Sequence, residues 1–493
     1  MIRTLLWICL LFSLTVAAQQ KREFHGAWIQ CVNGQFKDIG TEKMQQTLTY
    51  QLDELKKDGC NAIIFQVRPE CDALYESMLE PWSYYLTDRQ GQAPSPYWDP
   101  LQWMVVQCHQ RGMELHAWIN PYRAKTKVAH ANAANHVVAR HPEWCFEYDG
   151  LTLLNPALKE CRDYICDVVR DIVERYDVDG LHIDDYFYPY PVAGVNIPDE
   201  ANFRANNNGI ANRGDWRRYN VDLFIQQLSE TIHQTKPWVK FGVSPFGIYR
   251  NKKSDPNGSK TNGLQNYDDL YADVLLWVNN AWIDYCVPQL YWEIGHKSAD
   301  YAELIRWWDH NCSRVPLYIG EDVERTVKNS DPANPRNHQL AAKMALHAEL
   351  PNVKGTVLWY AKAAVDNIGN YGTSLRNVYW KTPALQPLMP GVKSKTPGKV
   401  RKVKVMDFDG QKVLFWTPPK AKSWDTEALK YVVYRFDGNE TINTEDPTKM
   451  VAVTTETLYE IPQADGTGNC VYVVTPLNRI DGEGKAVKKK IKY

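Results

Sequence analysis

Short β-branched and aromatic runs alternate with longer amphipathic stretches from residue 24 to about residue 385, and that alternation predicts parallel βα units. Eight runs read as strands: 24–32, 61–67, 114–120, 180–185, 240–245, 283–291, 315–319 and 355–360. Helical periodicity fits between them at 41–57, 100–111, 158–176, 216–235, 267–279, 301–311 and 337–350. Eight strands separated by helices are the arithmetic of a (β/α)8 TIM barrel, an α/β fold.

The pattern changes after residue 385. Residues 386–399 are rich in Pro, Gly and Lys and read as a linker. Strand-like runs then follow without helices, at 400–408, 412–416, 431–436, 450–455 and 470–475. Residues 413–419 and 431–435 resemble a fibronectin type III module, so residues 400–493 are expected to form a small all-β immunoglobulin-like sandwich. The barrel is expected over residues 19–385.

Residues 1–18 belong to neither domain. Arg3 precedes an apolar run from Leu5 to Val16, closed by the small residues Ala17 and Ala18, which is the form of a secretory signal. The run is too short to span a bilayer, and no later stretch is apolar enough to do so. The mature chain is therefore expected to be exported, periplasmic or extracellular, with no transmembrane segment. The chain carries 57 Lys+Arg against 58 Asp+Glu, so it lacks the basic footprint of a nucleic-acid binder. Its eleven cysteines are scattered and show no zinc spacing, and most read as buried thiols.

Catalysis in such a barrel occurs where the strands end, at the C-terminal mouth. Strand side chains alternate between the axis and the helix layer. In the run 181–185, Leu181 and Ile183 share one parity, and His182 and Asp184 the other. Gln66 and Arg68 oppose Phe65 and Val67, while His116, Trp118 and Asn120 oppose Leu115 and Ile119. Gln289, Tyr291 and Glu293 oppose Pro288 and Leu290. Inward polar groups on at least four strands depart from a purely apolar barrel core and point to a polar ligand.

Glycoside hydrolysis needs two carboxyl groups, one protonated and one ionised. Asp184 is expected as nucleophile or base, and Glu293 as general acid, its proton kept by partial burial near Trp292. Asp185 is expected to orient substrate or His182, and Asp72 competes with Asp184 for the ionised role. The other reading is structural, with Asp184 and Asp185 paired to Arg68, Arg123 or Arg250. The chain holds 18 Trp and 28 Tyr, and Trp118, Tyr122, Tyr186, Tyr291, Trp292 and Trp359 cluster at strand ends, where rings stack on sugar faces. Arg123 is expected to bind substrate beside them. No phosphate loop or GxSxG elbow occurs. His25, His116 and His182 offer a metal site with Asp184, but His25 has the parity opposite to Trp28, so neither metal nor cofactor is expected.

Five phrases in order are familiar: His25-Gly-Ala-Trp28, Gln66-Val-Arg-Pro69 with Asp72-Ala73, His116-Ala-Trp-Ile-Asn-Pro-Tyr-Arg123, Asp179-Gly-Leu-His-Ile-Asp-Asp-Tyr186 and Pro288-Gln-Leu-Tyr-Trp-Glu-Ile-Gly-His296. Over residues 21–385 the chain resembles the bacterial glycosyl hydrolase-like 10 family. That resemblance implies a (β/α)8 glycosidase in a family linked to cell-wall metabolism, and peptidoglycan glycan strands stripped of their stem peptides are the expected substrate; the alternatives are another polysaccharide or a catalytically silent carbohydrate-binding barrel. It also places the family's strand-four Asp and strand-six carboxylate on Asp184 and Glu293. Tyr186 stands where the chitinase superfamily has its catalytic Glu, so the substrate-assisted mechanism of that superfamily is not expected.

Overall fold

The computed structural model describes residues 19–463 and 469–491. The signal segment expected at 1–18 lies outside the described residues. Eight parallel strands close into a barrel: β1 (Phe24–Ile29), β2 (Ala62–Arg68), β3 (Glu114–Ile119), β4 (Gly180–Ile183), β5 (Lys240–Val243), β6 (Tyr285–Cys286), β7 (Leu317–Asp322) and β8 (Val353–Trp359). Each strand pairs with the next, and β8 closes on β1 with Phe24 opposite Gly355. Outward residues such as Phe65, Leu115, Leu181 and Ile183 pack under the helices in one large core. Phe24, Trp28, Ile64, Trp118, Tyr285, Tyr318 and Val357 fill the interior of the barrel as a separate cluster.

The helices follow from their apolar spacing and caps. Helix α1 (Thr41–Lys57) buries Met44, Leu48, Leu52 and Leu55 on one face. Helix α2 (Pro100–Gln110) starts at Asp99, whose carboxylate accepts from the Gln102 amide, and α3 (Lys159–Arg175) buries Ile165, Val169, Ile172 and Val173. Helix α4 (Arg213–Thr235) is capped by Asn212 and begins three residues before the expected start. The helix expected at 267–279 is two short pieces, Asn266–Asp269 and Val274–Asn279. Strand six is far shorter than expected. Pro288 has no N–H to donate, and beyond Cys286 only Gln289 still bridges to Phe246 and Gly320. Strand seven instead runs three residues past its expected end. A three-stranded sheet, Arg123–Lys125, Cys145–Tyr148 and Leu151–Leu154, rises from the loop after β3 and was not anticipated.

The C-terminal module is all-β, and its described residues form seven strands in two antiparallel sheets. One holds β9 (Arg401–Phe408), β10 (Gln411–Thr417) and β13 (Leu458–Glu460); the other holds β12 (Met450–Thr454), β11 (Lys430–Asp437), β14 (Cys470–Leu477) and β15 (Val487–Ile491). The four-stranded sheet is covered on both faces. Tyr431, Val433, Tyr472 and Val474 point into the sandwich, while Val432, Tyr434, Val471 and Val473 pack with Leu385 on the other side. That double burial accounts for the near-continuous apolar runs of β11 and β14. The module sits at the base of the barrel, where the strands begin: Arg479 pairs with Asp177 at 2.6 Å, and the Trp424 and Trp238 rings lie 5.2 Å apart. The segment expected as a linker is anchored at its start, since the buried Gln386 side chain donates to the Asn61 carbonyl at 3.0 Å and Met389 is buried.

Candidate active site at the barrel mouth

Asp184 follows β4 on the inward parity. Its Oδ2 accepts from Asn120 Nδ2 at 2.6 Å and from the Trp118 indole at 3.2 Å. Asn120 has no freedom to turn: its Oδ1 accepts from Gln66 Nε2 at 2.7 Å and Arg123 Nη2 at 2.5 Å, so only its amino group can meet Asp184. Gln66 Oε1 in turn accepts from the amides of Cys31 and Val32, which ties down the loop after β1. The other Asp184 oxygen is buried and has no hydrogen-bond partner among the described residues. Burial, then the neighbouring Asp185 charge, push the Asp184 carboxyl up to about 7, against the pull of Arg123, Asn120 and Trp118. Asp184 thus holds a proton close to neutral pH.

Asp185 is also buried and pushed up by burial, with hydrogen bonds from Tyr190 and Gln289 opposing the shift. Gln289 donates to the Ser244 carbonyl at 2.9 Å. Across the axis, half-buried Tyr291 stacks on Trp359 at 5.9 Å, and Trp28 stands edge-on to both at 6.4 and 6.1 Å. Trp118 meets Trp359 edge-on at 6.3 Å, and Trp292 meets Phe246 at 5.4 Å. On the near side, the Arg123 guanidinium lies 5.2 Å from the ring centre of Tyr186, a residue that is 39% exposed.

The structure brings Gln66, Trp118, Asn120, Arg123, Asp184, Asp185, Tyr186, Gln289, Tyr291 and Trp359 together. Other expected site residues lie elsewhere. Arg68 is fully buried in a bidentate pair with Glu80 and donates to the Asn120 and Pro121 carbonyls, so it braces the loops. Asp72 is buried as well, accepting from the Tyr84 amide and Gln90, with its carboxyl pushed up to about 6 by burial and then by Glu70. Tyr122 packs against Phe224 in the helix layer. Glu293 lies further out, with its side chain 26% exposed and its Oε2 3.9 Å from Arg325 Nη1. His25 stacks on Trp380 outside the barrel interior, and no group of three metal-ligating side chains occurs among the described residues.

His116 and His182 belong to a hydrogen-bonded chain along the axis beneath the mouth. The Trp28 indole can only donate, so His182 Nε2, 3.3 Å away, accepts from it and from Ser244 Oγ at 2.9 Å. Burial depresses the His182 pKa, leaving the ring neutral with its proton on Nδ1. That N–H donates to the Tyr285 hydroxyl at 3.1 Å, which donates to His116 Nδ1 at 2.7 Å. His116 Nε2 then donates to Glu114 at 3.0 Å, and Glu114 is held by Lys240 at 2.7 Å. A Cβ at Gly180 would meet the His116 ring at 2.5 Å, and one at Gly242 would meet the Tyr285 ring at 1.8 Å. Glycine at both positions makes room for the chain.

The family model described as glycosyl hydrolase-like 10 matches residues 23–335, a span that holds seven of the eight barrel strands and both aspartates. The chain belongs to this family. The glycosyl hydrolase YngK of Bacillus subtilis (strain 168) is 35% identical over 485 residues, covering 96% of this chain and 94% of YngK. The glycosyl hydrolase DigH of Escherichia coli (strain K12) is 36% identical over 332 residues, 64% of this chain and 75% of DigH. Among solved structures, the catalytic domain of β-amylase from Paenibacillus polymyxa is similar at 12% identity and a TM-score of 0.49, covering 74% of this chain and 99% of that one.

Ser244, Tyr285 and Asp322 are among the residues not singled out from the sequence. Ser244 and Tyr285 are missed because a lone Ser or Tyr in an apolar run carries no signal of its own. Asp322 is missed because strand seven was ended at Ile319. It shares the inward parity of Tyr318 and Gly320, pairs in register with Trp359, and accepts from the Arg325 amide at 2.8 Å. Burial raises the Tyr291 phenol, and the charges of Asp185, Asp322 and Asp184 add to that rise.

Proposed function

We propose that this glycoside hydrolase is exported and cleaves peptidoglycan glycan strands, preferentially those stripped of stem peptides, by a two-carboxyl acid/base mechanism. The observation that carries the reading is Asp184: a buried carboxyl at the mouth of a glycosidase-family barrel, held by Asn120 and Trp118, with one oxygen unpartnered and a pKa near neutral. Of the nucleophile and base roles expected for Asp184, those properties suit the proton-transferring one better. The aromatic group of Trp28, Trp118, Tyr291 and Trp359 supports a sugar ring as the ligand.

The second carboxyl in this reading is Glu293. A specific observation favours Asp322 as its competitor, because Asp322 lies on the inward parity of β7 and pairs in register with Trp359, the ring that stacks on Tyr291. The seven-stranded module is read as fibronectin type III-like, and export rests on the apolar leader at residues 1–18.

The test is release of new reducing ends, with fragment masses, from intact peptidoglycan and from peptide-stripped strands. Residues 19–493 would be compared with Asp184→Asn, Glu293→Gln and Asp322→Asn. Cleavage of stripped strands by the unsubstituted protein, lost in Asp184→Asn and in one of the other two, is the expected result. Cleavage that survives Asp184→Asn refutes the assignment, and inertness towards both polymers refutes the substrate.

A further inference from the structure

A cavity of about 360 Å3 opens beside Asp185, between the small sheet of residues 123–154 and the segment 186–192. Its volume falls in the range of about 300–1,000 Å3 usual for ligand pockets. Tyr148, Leu151, Leu153, Tyr186 and Tyr190 line it, and Arg123 stands at its inner end. Two residues of its lining reach the carboxyl pair by hydrogen bonds. Tyr190 donates to Asp185, and Arg123 donates to Asn120, which holds Asp184.

The lining identifies the ligand chemistry. Lys127 at the rim is paired with Asp149 at 2.6 Å, and Arg123 has already placed Nε on the Pro69 carbonyl and Nη2 on Asn120. The Arg123 charge acts on the Asp184 and Asp185 carboxyls, so little cationic character is left for an anion. What remains is tyrosine and aliphatic surface, which suits the C–H faces and hydroxyls of an uncharged pyranose ring. Trp28 and Trp359 belong to β1 and β8, across the barrel from β4, and Tyr291, in the segment after β6, stacks on Trp359. Asp184 and Asp185 therefore stand between two sugar-binding surfaces.

We propose that this cavity is a second glycan subsite, taking the sugar on the far side of the scissile bond, so that the protein cuts within glycan strands. The inference rests on the glycosidase reading above and adds where the polymer lies and which bonds it exposes.

Leu151→Trp fills the cavity from a position outside the carboxyl network, and Val192→Trp does so from the opposite wall should the first variant fold poorly. Circular dichroism and thermal melting establish folding. Two measurements follow: fragment masses from long peptide-stripped strands, and calorimetric affinity of the inactive Asp184→Asn background for N-acetylglucosamine oligomers of two and six units. Without the filling substitution, internal fragments appear early and the hexamer binds at least about tenfold more tightly than the dimer, a difference of roughly 1.4 kcal/mol. The filled variants lose that length dependence and the internal fragments, while dimer affinity stays within about twofold. Filled variants with unchanged length dependence overturn the subsite, as does an unfilled protein that binds both oligomers alike. Failure of cleavage with length-dependent binding intact would strike the catalytic reading alone.

Discussion

Tyr285→Phe removes one oxygen from the middle of the axial chain and changes nothing else in volume. In the folded chain that hydroxyl accepts from His182 Nδ1 at 3.1 Å and donates to His116 Nδ1 at 2.7 Å, and both rings are fully buried. The substitution leaves one N–H and one ring nitrogen without partners. Each buried orphan costs about 1–3 kcal/mol, partly offset because the phenol no longer has to be desolvated. A net loss of about 2–4 kcal/mol follows, a large share of the roughly 5–15 kcal/mol that typically separates folded from unfolded chains. Tyr318→Phe is the matched control, since Tyr318 stacks on Tyr285 at 5.2 Å, is equally buried, and forms no link in the chain. Urea unfolding of the two variants, with histidine-selective 15N spectra to read the His182 tautomer, makes the comparison. If Tyr285→Phe is as stable as Tyr318→Phe to within about 0.5 kcal/mol, or His182 carries its proton on Nε2 in the unsubstituted protein, the directional chain is wrong.

Other consequences can be checked in the same preparations. A folded Asp184 pKa of about 7 lies above the ordinary carboxyl value, so the folded chain keeps a proton that the unfolded chain loses between about pH 4 and 7; stability falls across that window and levels above it. Asp184→Asn should therefore gain stability over the unsubstituted protein from pH 5 to pH 8, by at most about 4 kcal/mol for three pKa units, and an equal Tm difference at both pH values would contradict this. Asn120→Ala strips Asp184, Gln66 and Arg123 of a shared partner and should lower kcat on glycan strands by about 100-fold or more, the scale of a 1 Å misplacement; a change confined to KM would argue for simple ligand contact. Ending the chain at residue 385 uncovers the base of the barrel and should give an aggregation-prone barrel, whereas Arg479→Ala alone, a surface pair with Asp177, should shift stability by less than about 1 kcal/mol; size-exclusion chromatography and melting curves distinguish the two.

The barrel was legible because its signal is distributed. Eight apolar runs at regular spacing survive errors of several residues at any one of them. The network around Asp184 was legible for the same reason, since Gln66, Trp118 and Asn120 each carry a parity readable against apolar neighbours. What sequence could not supply was the direction taken by a polar group after its strand has ended. Arg68 and Asp72 turn into the loop layer because Glu80 and the Tyr84 amide are there to meet them, and both partners lie about twelve residues on in an irregular segment. Asp322 was lost to one misplaced strand end. Tyr122 was misread because Pro121 breaks the alternation that had held up to Asn120. The sheet at 123–154 has strands of three or four residues, too short for any periodicity to declare them.

The double burial of the four-stranded sheet has a geometric consequence. Leu385, which that sheet covers, exchanges backbone hydrogen bonds with Lys21 and Glu23, and Lys21 reaches on to Glu483 of the module at 2.6 Å. The first described residues and the C-terminal module are thus laced together at the end of the barrel opposite Asp184. An attachment made through either would therefore lie at the base of the barrel and leave the mouth at Asp184 open.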